Sequence, residues 1–385
     1  MMRGESKGLM TSMEWIDDSL EFVLKKINEN RGEFFKKVPG PASVKNRYQP
    51  EANDYWTASF WVGMLWLASE VSEKGSFDDI LAAQMDVFQN RLDEKIGLET
   101  HDIGFLYSLS AVAQYRLTGC ARARKMIIDS ADELMSRYHP KAKVIQAWGN
   151  LNNPEEQGRM IIDCNMNLPL LYVASQLTGN DTYKKAAYNH AKQAATYIIR
   201  PDYSTYHTYY MDVATGEPRF GKTAQGYSDD SCWARGQACA VYGFTLSYLY
   251  TGDESFLDLA SKLADYFLER LPEDKICYWD LTFTSGPQER DSSSAAILIC
   301  GLLELSKQLP LSNPKKDTYN QVALEMLKAL SDNYTTKNLP SSNGLLLHAV
   351  YAKPDGKGID ECCIWGDYFY LEALVRVRKS WFGYW

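Results

Sequence analysis

The chain has 385 residues, 45% hydrophobic and 23% charged, a balance that can bury a large core and shows no bias toward disorder. A net charge of −8, with 49 acidic against 41 basic residues and no basic run, argues against nucleic acid as a partner. Eight Cys form no CxxC pair, and Cys362 and Cys363 are adjacent, which fits neither a zinc site nor a disulfide scaffold and points to a reducing, cytoplasmic setting. The first residues lack the apolar core of a secretory signal, and no run of about 18 apolar residues predicts a membrane span.

In chain order, half-polar amphipathic stretches near 13–27, 77–92, 121–138, 181–199, 254–271 and 317–334 read as outer helices. In the first, Trp15, Ile16, Leu20, Val23, Leu24 and Ile27 fall on one stripe. Alternating with them, 60–71, 105–117, 168–177, 233–250, 295–309 and 368–377 are apolar or small nearly all round, and a helix without a polar face must be surrounded by protein. Strand signals are scarce. The turns LTGC (117–120), LTGND (177–181) and YTGDE (250–254) each close an inner helix with Gly and open an outer one, with Gly as the left-handed cap and Asn or Asp as the next N-cap. Six such hairpins predict an all-α (α/α)6 barrel spanning 1–385 as one domain; an open solenoid is the alternative.

Each inner helix is opened by a polar and aromatic cluster: NDYW (53–56), HDIGF (101–105), DCNMN (163–167), YSDDSCWARGQ (227–237), ERDSSSAA (289–296) and IWGDYFYLEAL (364–374). In a closed toroid these gather at one mouth and predict one pocket. Asp or Ser before an apolar run is often only a cap worth about 1 kcal/mol, and Ser292, Ser293 and Asp367 suit that role equally well. Asp102 and Asp163 are bordered by apolar residues, so burial should raise a carboxyl pKa and leave a proton donor. Among the five His, His190 falls on an outer helix and is expected at the surface. His101 beside Asp102 suggests a metal-dependent phosphohydrolase, but no His precedes it, and no HExxH or Cys cluster exists. Asp229 and Asp230 lack the third Asp of a diphosphate-binding motif, since Trp233 stands there. Neither metal nor cofactor is expected. With no GxSxG, P-loop or GxGxxG, two carboxyls with aromatic platforms belong to sugar chemistry, where an oxocarbenium-like transition state needs a proton donor.

From Asn53 onward, HDIGF, IDCNMNLPLL, QGYSDDSCWARGQA, ERDSSSAA and IWGDYFYLEAL resemble the unsaturated glucuronyl hydrolases of glycoside hydrolase family 88, whose fold is the (α/α)6 barrel. The resemblance implies a substrate whose nonreducing end is a uronic acid with a C4=C5 double bond. It assigns Asp163 as general acid and base and Asp102 as the second essential Asp. Trp56, His207, Gln225, Trp233 and Arg235 match pocket positions, Arg235 as candidate for the substrate carboxylate or else paired with Asp229 or Asp230; His101 and Lys357 complete the substrate-binding set. Where relatives acting on sulfated fragments carry two serines ahead of a lysine, Ala352 and Asp355 stand here, with Lys353 and Lys357. The alternatives are an unsaturated rhamnogalacturonyl hydrolase, a sugar epimerase, which would need paired His bases, and a silent carbohydrate-binding toroid.

Overall fold

The computed structural model describes residues 5–385, with side chains from Glu14 onward; residues 1–4 of the N-terminal segment lie outside it. The six outer helices are Glu5–Asn30, Asp78–Asp93, Ala121–Met135, Asp181–Tyr197, Glu254–Leu268 and Lys315–Asn333. Between them run the inner helices Ala58–Val71, Pro169–Thr178, Ala234–Thr251, Ser292–Gln308 and Ile364–Arg378. The remaining inner helix, over 103–118, is built from Ile103–Tyr107, a π-helical stretch Ser108–Val112 and Ala113–Thr118. Burial follows the sequence pattern. Ala58 to Ala68 are buried without a break in one inner helix, whereas the outer helix Glu254–Leu268 buries the stripe Phe256, Leu257, Ala260, Leu263, Ala264 and Phe267. Six inner helices ringed by six outer ones make the (α/α)6 barrel.

The repeated turns behave as their residues predict. Gly119, Gly179 and Gly252 end inner helices at φ of 67°, 73° and 69°, a region open to Gly without a Cβ penalty. Asn180 and Asp253 then cap the next helix, accepting from Thr182 N at 3.0 Å and Ser255 N at 2.9 Å; Cys120 makes no such bond. The outer helix from Ala121 ends at Met135 because Tyr138–His139 pairs with Val144–Ile145 in a two-residue ladder. His190 is not at the surface. It is fully buried, and its Nδ1 accepts from Ile145 N at 2.9 Å, because the loop carrying that ladder packs over the outer helix.

Two close approaches bring the helix entries together. A Cβ at Gly104 would lie 2.4 Å from the Cα and carbonyl oxygen of Asn167, and one at Gly243 would lie 2.5 Å from the Cβ of Asn165. The turn 163–167 therefore sits directly on two inner helices, at positions where only Gly fits. An antiparallel three-stranded sheet, Arg159–Ile161, Thr208–Met211 and Pro218–Lys222, leads into that turn.

Candidate active site

The two acids reach one place by different local routes. Asp102 stands at the N-terminus of the inner helix over 103–118, yet its carboxylate makes no capping bond; Oδ2 accepts from Thr100 Oγ1 at 2.7 Å and Oδ1 from Asn167 Nδ2 at 3.5 Å. Asn167 is itself fixed because its Oδ1 takes the Phe105 N–H at 2.6 Å. Asp163 lies in the 3-10 turn Ile162–Met166, delivered by strand Arg159–Ile161. The neighbouring strand brings His207 alongside, its carbonyl accepting from Ile162 N at 3.2 Å. His101 bridges the acids: Nε2 is 3.3 Å from Asp102 Oδ1 and 3.4 Å from Asp163 Oδ1. All three line a cavity of about 360 Å³.

Their electrostatics diverge. Burial pushes Asp163 up to about 6, aided by the Asp102 charge and opposed by His101 and Arg235. Its Oδ1 has no well-formed hydrogen bond, and a backbone hydrogen bond favours the ionised form too weakly to offset burial. Burial also acts on Asp102, but the His101 charge and hydrogen bonds from His101, Thr100 and Asn167 outweigh it and leave this carboxyl below its ordinary value. Burial opposes a charge on His101, yet Asp102 beside it raises the imidazole well above its usual range. Two neighbouring carboxyls with pKa values driven apart are the arrangement that separates an acid from a permanent anion. Among the described residues, no group of three or more His, Cys, Asp and Glu is arranged to hold a metal ion.

A sequence profile of Glycosyl Hydrolase Family 88 matches residues 23–374. The chain belongs to glycosyl hydrolase family 88. It is 44% identical over 378 residues to the unsaturated chondroitin disaccharide hydrolase of Streptococcus agalactiae serotype III, covering 98% of this chain and 94% of that one. To the unsaturated glucuronyl hydrolase of Bacillus sp. (strain GL1) it is 41% identical, covering 92% and 95%. The crystal structure of unsaturated glucuronyl hydrolase from Streptococcus agalactiae superposes with a TM-score of 0.94 over 96% of this chain and 94% of the other, at 44% identity.

In this family 88 glycoside hydrolase, Trp56, Gln225, His207 and Lys357 also line the cavity. His207 accepts the N–H groups of Ala224 and Gln225 on Nδ1, at 2.8 and 3.1 Å. Burial, with Arg235 and His101, pushes its pKa down to about 3, so the neutral ring carries its proton on Nε2. Lys357 is exposed at the rim, 3.9 Å from Asp355, while Lys353 turns away to pair with Glu289.

Arg235 and Trp233 stand behind the wall, not on it. The Arg235 fork donates to the carbonyls of Val350 and Tyr351, both at 2.8 Å, and to Gln225 Oε1. Its guanidinium lies 4.4 Å from the Trp233 ring and 4.6 Å from the Trp365 ring. The fork expected from sequence to hold a substrate carboxylate is here engaged by protein oxygens, and Asp229 and Asp230 are not its partners. Arg235 clamps the Gln225 carbonyl oxygen and leaves that amide's NH2 for the cavity.

The six clusters do not all reach the pocket. Asp291 caps the helix from Ser292, accepting from Ser293 N at 3.1 Å, and Asp367 accepts from Leu345 N and Leu346 N at 3.0 and 2.8 Å. Trp365 stacks behind Trp56, with ring centroids 5.4 Å apart. The wall is instead completed by Thr100, Trp148 and Tyr351, which sequence reasoning missed. Thr100 directly precedes the HDIGF motif and could have been found there; Trp148 sits in a loop with no motif of its own, and Tyr351 in the short strand Ala349–Ala352.

Proposed function

We propose that this hydrolase releases a 4,5-unsaturated uronic acid from the nonreducing end of lyase-generated oligosaccharides, glycosaminoglycan fragments being the expected class, by acid-catalysed hydration of the vinyl ether. The observation that carries the reading is the pair of acids sharing His101 in one cavity, with Asp163 raised toward neutrality and Asp102 held as an anion. Asp163 gives its proton to C4, and positive charge develops at C5 beside the ring oxygen. Asp102 steadies that charge and keeps Asp163 protonated. Water adds at C5, returning a proton to Asp163; the resulting hemiketal opens to a ketone and the rest of the chain leaves from C1. The His207 Nε2–H, the Gln225 amide and Lys357 at the rim supply donors for the substrate carboxylate, whose charge on binding would raise Asp163 further. Relatives named for unsaturated chondroitin disaccharide and unsaturated glucuronyl hydrolysis support the substrate class. All eight cysteines are free thiols and seven are buried, which supports a cytoplasmic site of action; the chain would work there as one catalytic domain.

The test offers the enzyme unsaturated disaccharides from glycosaminoglycan and from rhamnogalacturonan in D2O and follows the ultraviolet absorbance of the conjugated double bond. Loss of absorbance on the glycosaminoglycan disaccharide with deuterium entering at C4 is expected. Release of the aglycone without deuterium at C4 sinks the hydration route, and faster turnover of the pectin fragment moves the substrate to that class.

A further inference from the structure

At the end of the barrel remote from the cavity, residues 380–385 follow the inner helix Ile364–Arg378 without regular secondary structure and turn back into the ring. Trp381, Tyr384 and Trp385 are buried, whereas Phe382 between them is 89% exposed. An irregular segment inside a helical ring has no ladder to join, so side chains must satisfy its carbonyls. Gly383 O accepts from Arg116 Nη1 at 2.7 Å and Trp385 O from Tyr250 Oη at 2.8 Å. Glu70 takes the Trp381 Nε1–H at 3.0 Å and the Tyr384 hydroxyl, and Glu372 takes the Trp385 Nε1–H at 2.9 Å. Four inner helices thus each contribute a side chain that holds the segment.

Trp385 is the informative residue. Its ring lies nearly parallel to Phe369, with centroids 5.8 Å apart at 9°, and edge-on to Phe105, Tyr242 and Tyr368 at 5.7, 6.2 and 6.0 Å. Those four rings come from three different inner helices, so the indole fills the barrel axis between them. Phe105 links it to the chemistry. The Phe105 ring is 6.0 Å from that of Trp56, which lines the cavity, and the Phe105 N–H goes to Asn167, whose amide donates to Asp102. Beyond Phe105 the same helix becomes π-helical at Ser108–Val112. A regular ladder therefore does not by itself fix how Phe105 stands, and the indole packed against it supplies that support.

We propose that Trp385 is a positioning residue for the reaction: as a plug in the barrel axis it props Phe105, and through Phe105 the Trp56 wall and Asp102, from inside the barrel. The inference rests on the reading of the enzyme as a hydrolase of unsaturated uronides. In the whole chain, Trp385→Ala leaves a gap the size of an indole, and a close-packed interior passes such a loss to its neighbours. On an unsaturated disaccharide kcat of the folded enzyme falls by about tenfold while KM stays within about twofold, because alignment is lost and the binding groups remain. Added indole, a ligand that an apolar gap of this kind accepts, restores most of kcat. Tyr384→Phe is the comparison: it removes the hydroxyl held by Glu70, lowers the melting temperature and leaves kcat at the parent's value. Trp385→Phe keeps a ring against Phe369 and lowers kcat by about threefold, which serves where alanine prevents folding. The proposal is overturned by a parent-like kcat in Trp385→Ala, or in Trp385→Phe if alanine prevents folding. It is equally overturned by a kcat loss of the same size in Tyr384→Phe, or by indole that restores the melting temperature of Trp385→Ala but not its kcat. A parent inert on the disaccharide refutes the underlying reading instead.

Discussion

Replacing Asp163 by Asn separates its chemical role from its cost to the fold. Burial raises this carboxyl from 3.8 to about 6, roughly two units at about 1.4 kcal/mol each, so its ionised form destabilises the folded state by about 3 kcal/mol. The sign follows from linkage. Below about pH 4 the carboxyl is protonated in both folded and unfolded chains and costs nothing; above about pH 6 it is ionised in both and the whole cost is present. Asn carries no charge at any pH. Asp163→Asn should therefore match the parent's melting temperature near pH 4 and exceed it above pH 6. With an unfolding entropy of about 2 cal/mol/K per residue, about 3 kcal/mol in this chain amounts to a gain of about 3–4 °C. The same substitution removes the proton donor and should cut kcat on an unsaturated disaccharide by about 10²–10⁴-fold while KM changes little. Thermal melts across pH 4 to 8, paired with the loss of double-bond absorbance, read both effects. A melting difference that is flat with pH would refute the buried-acid argument; unchanged turnover would remove Asp163 from its role.

The pH profile of kcat/KM should fall above about pH 6, where Asp163 loses its proton, with an acid limb below the ordinary carboxylate range set by Asp102. The alkaline limb of kcat should lie higher than that of kcat/KM, because the bound substrate's carboxylate disfavours ionisation of Asp163; coincident limbs would show that no such charge approaches it. Gly104→Ala places a methyl group within 2.4 Å of the Asn167 backbone and should cost about 1–3 kcal/mol in denaturant melts and about a hundredfold in kcat by shifting Asp102 against Asp163, with helical circular dichroism retained. Asp367→Ala strands the buried N–H groups of Leu345 and Leu346 and should cost about 2–5 kcal/mol in the same melts, with turnover of the folded fraction near the parent's.

Much of the site was legible before any tertiary contact was considered. HDIGF and IDCNMN each put an acid at the entry to an apolar helix, and both acids line the cavity. Asp367 shows the same local signature but anchors the backbone at 345–346, and Asp291 caps a helix. An acid before an apolar run says only that the carboxyl is buried. Whether it meets backbone N–H groups or an open cavity depends on which loop lands on it. Arg235 illustrates the same limit: the motif puts a cation beside the pocket, but that the strand Ala349–Ala352 offers it two carbonyls is decided by tertiary packing. His190 is a further case, since a polar residue on an outer helix is exposed only if no loop covers that face.

Periodicity, glycine caps and motif order were enough to set twelve helices in alternating inner and outer roles, because burial on one face or on all faces is written directly into local residue spacing. They also marked the entries of the inner helices as the place for chemistry. Which carboxyls share one imidazole, which cation is spent on carbonyl oxygens and which aromatic rings form the cavity wall were decided only when loops from 97–102, 148, 161–163, 207, 225 and 351–357 converged. Those contacts join residues far apart in the chain, 115 positions for Arg235 and Val350 and 295 for Trp56 and Tyr351, and their geometry depends on helix packing and loop paths that no local pattern encodes.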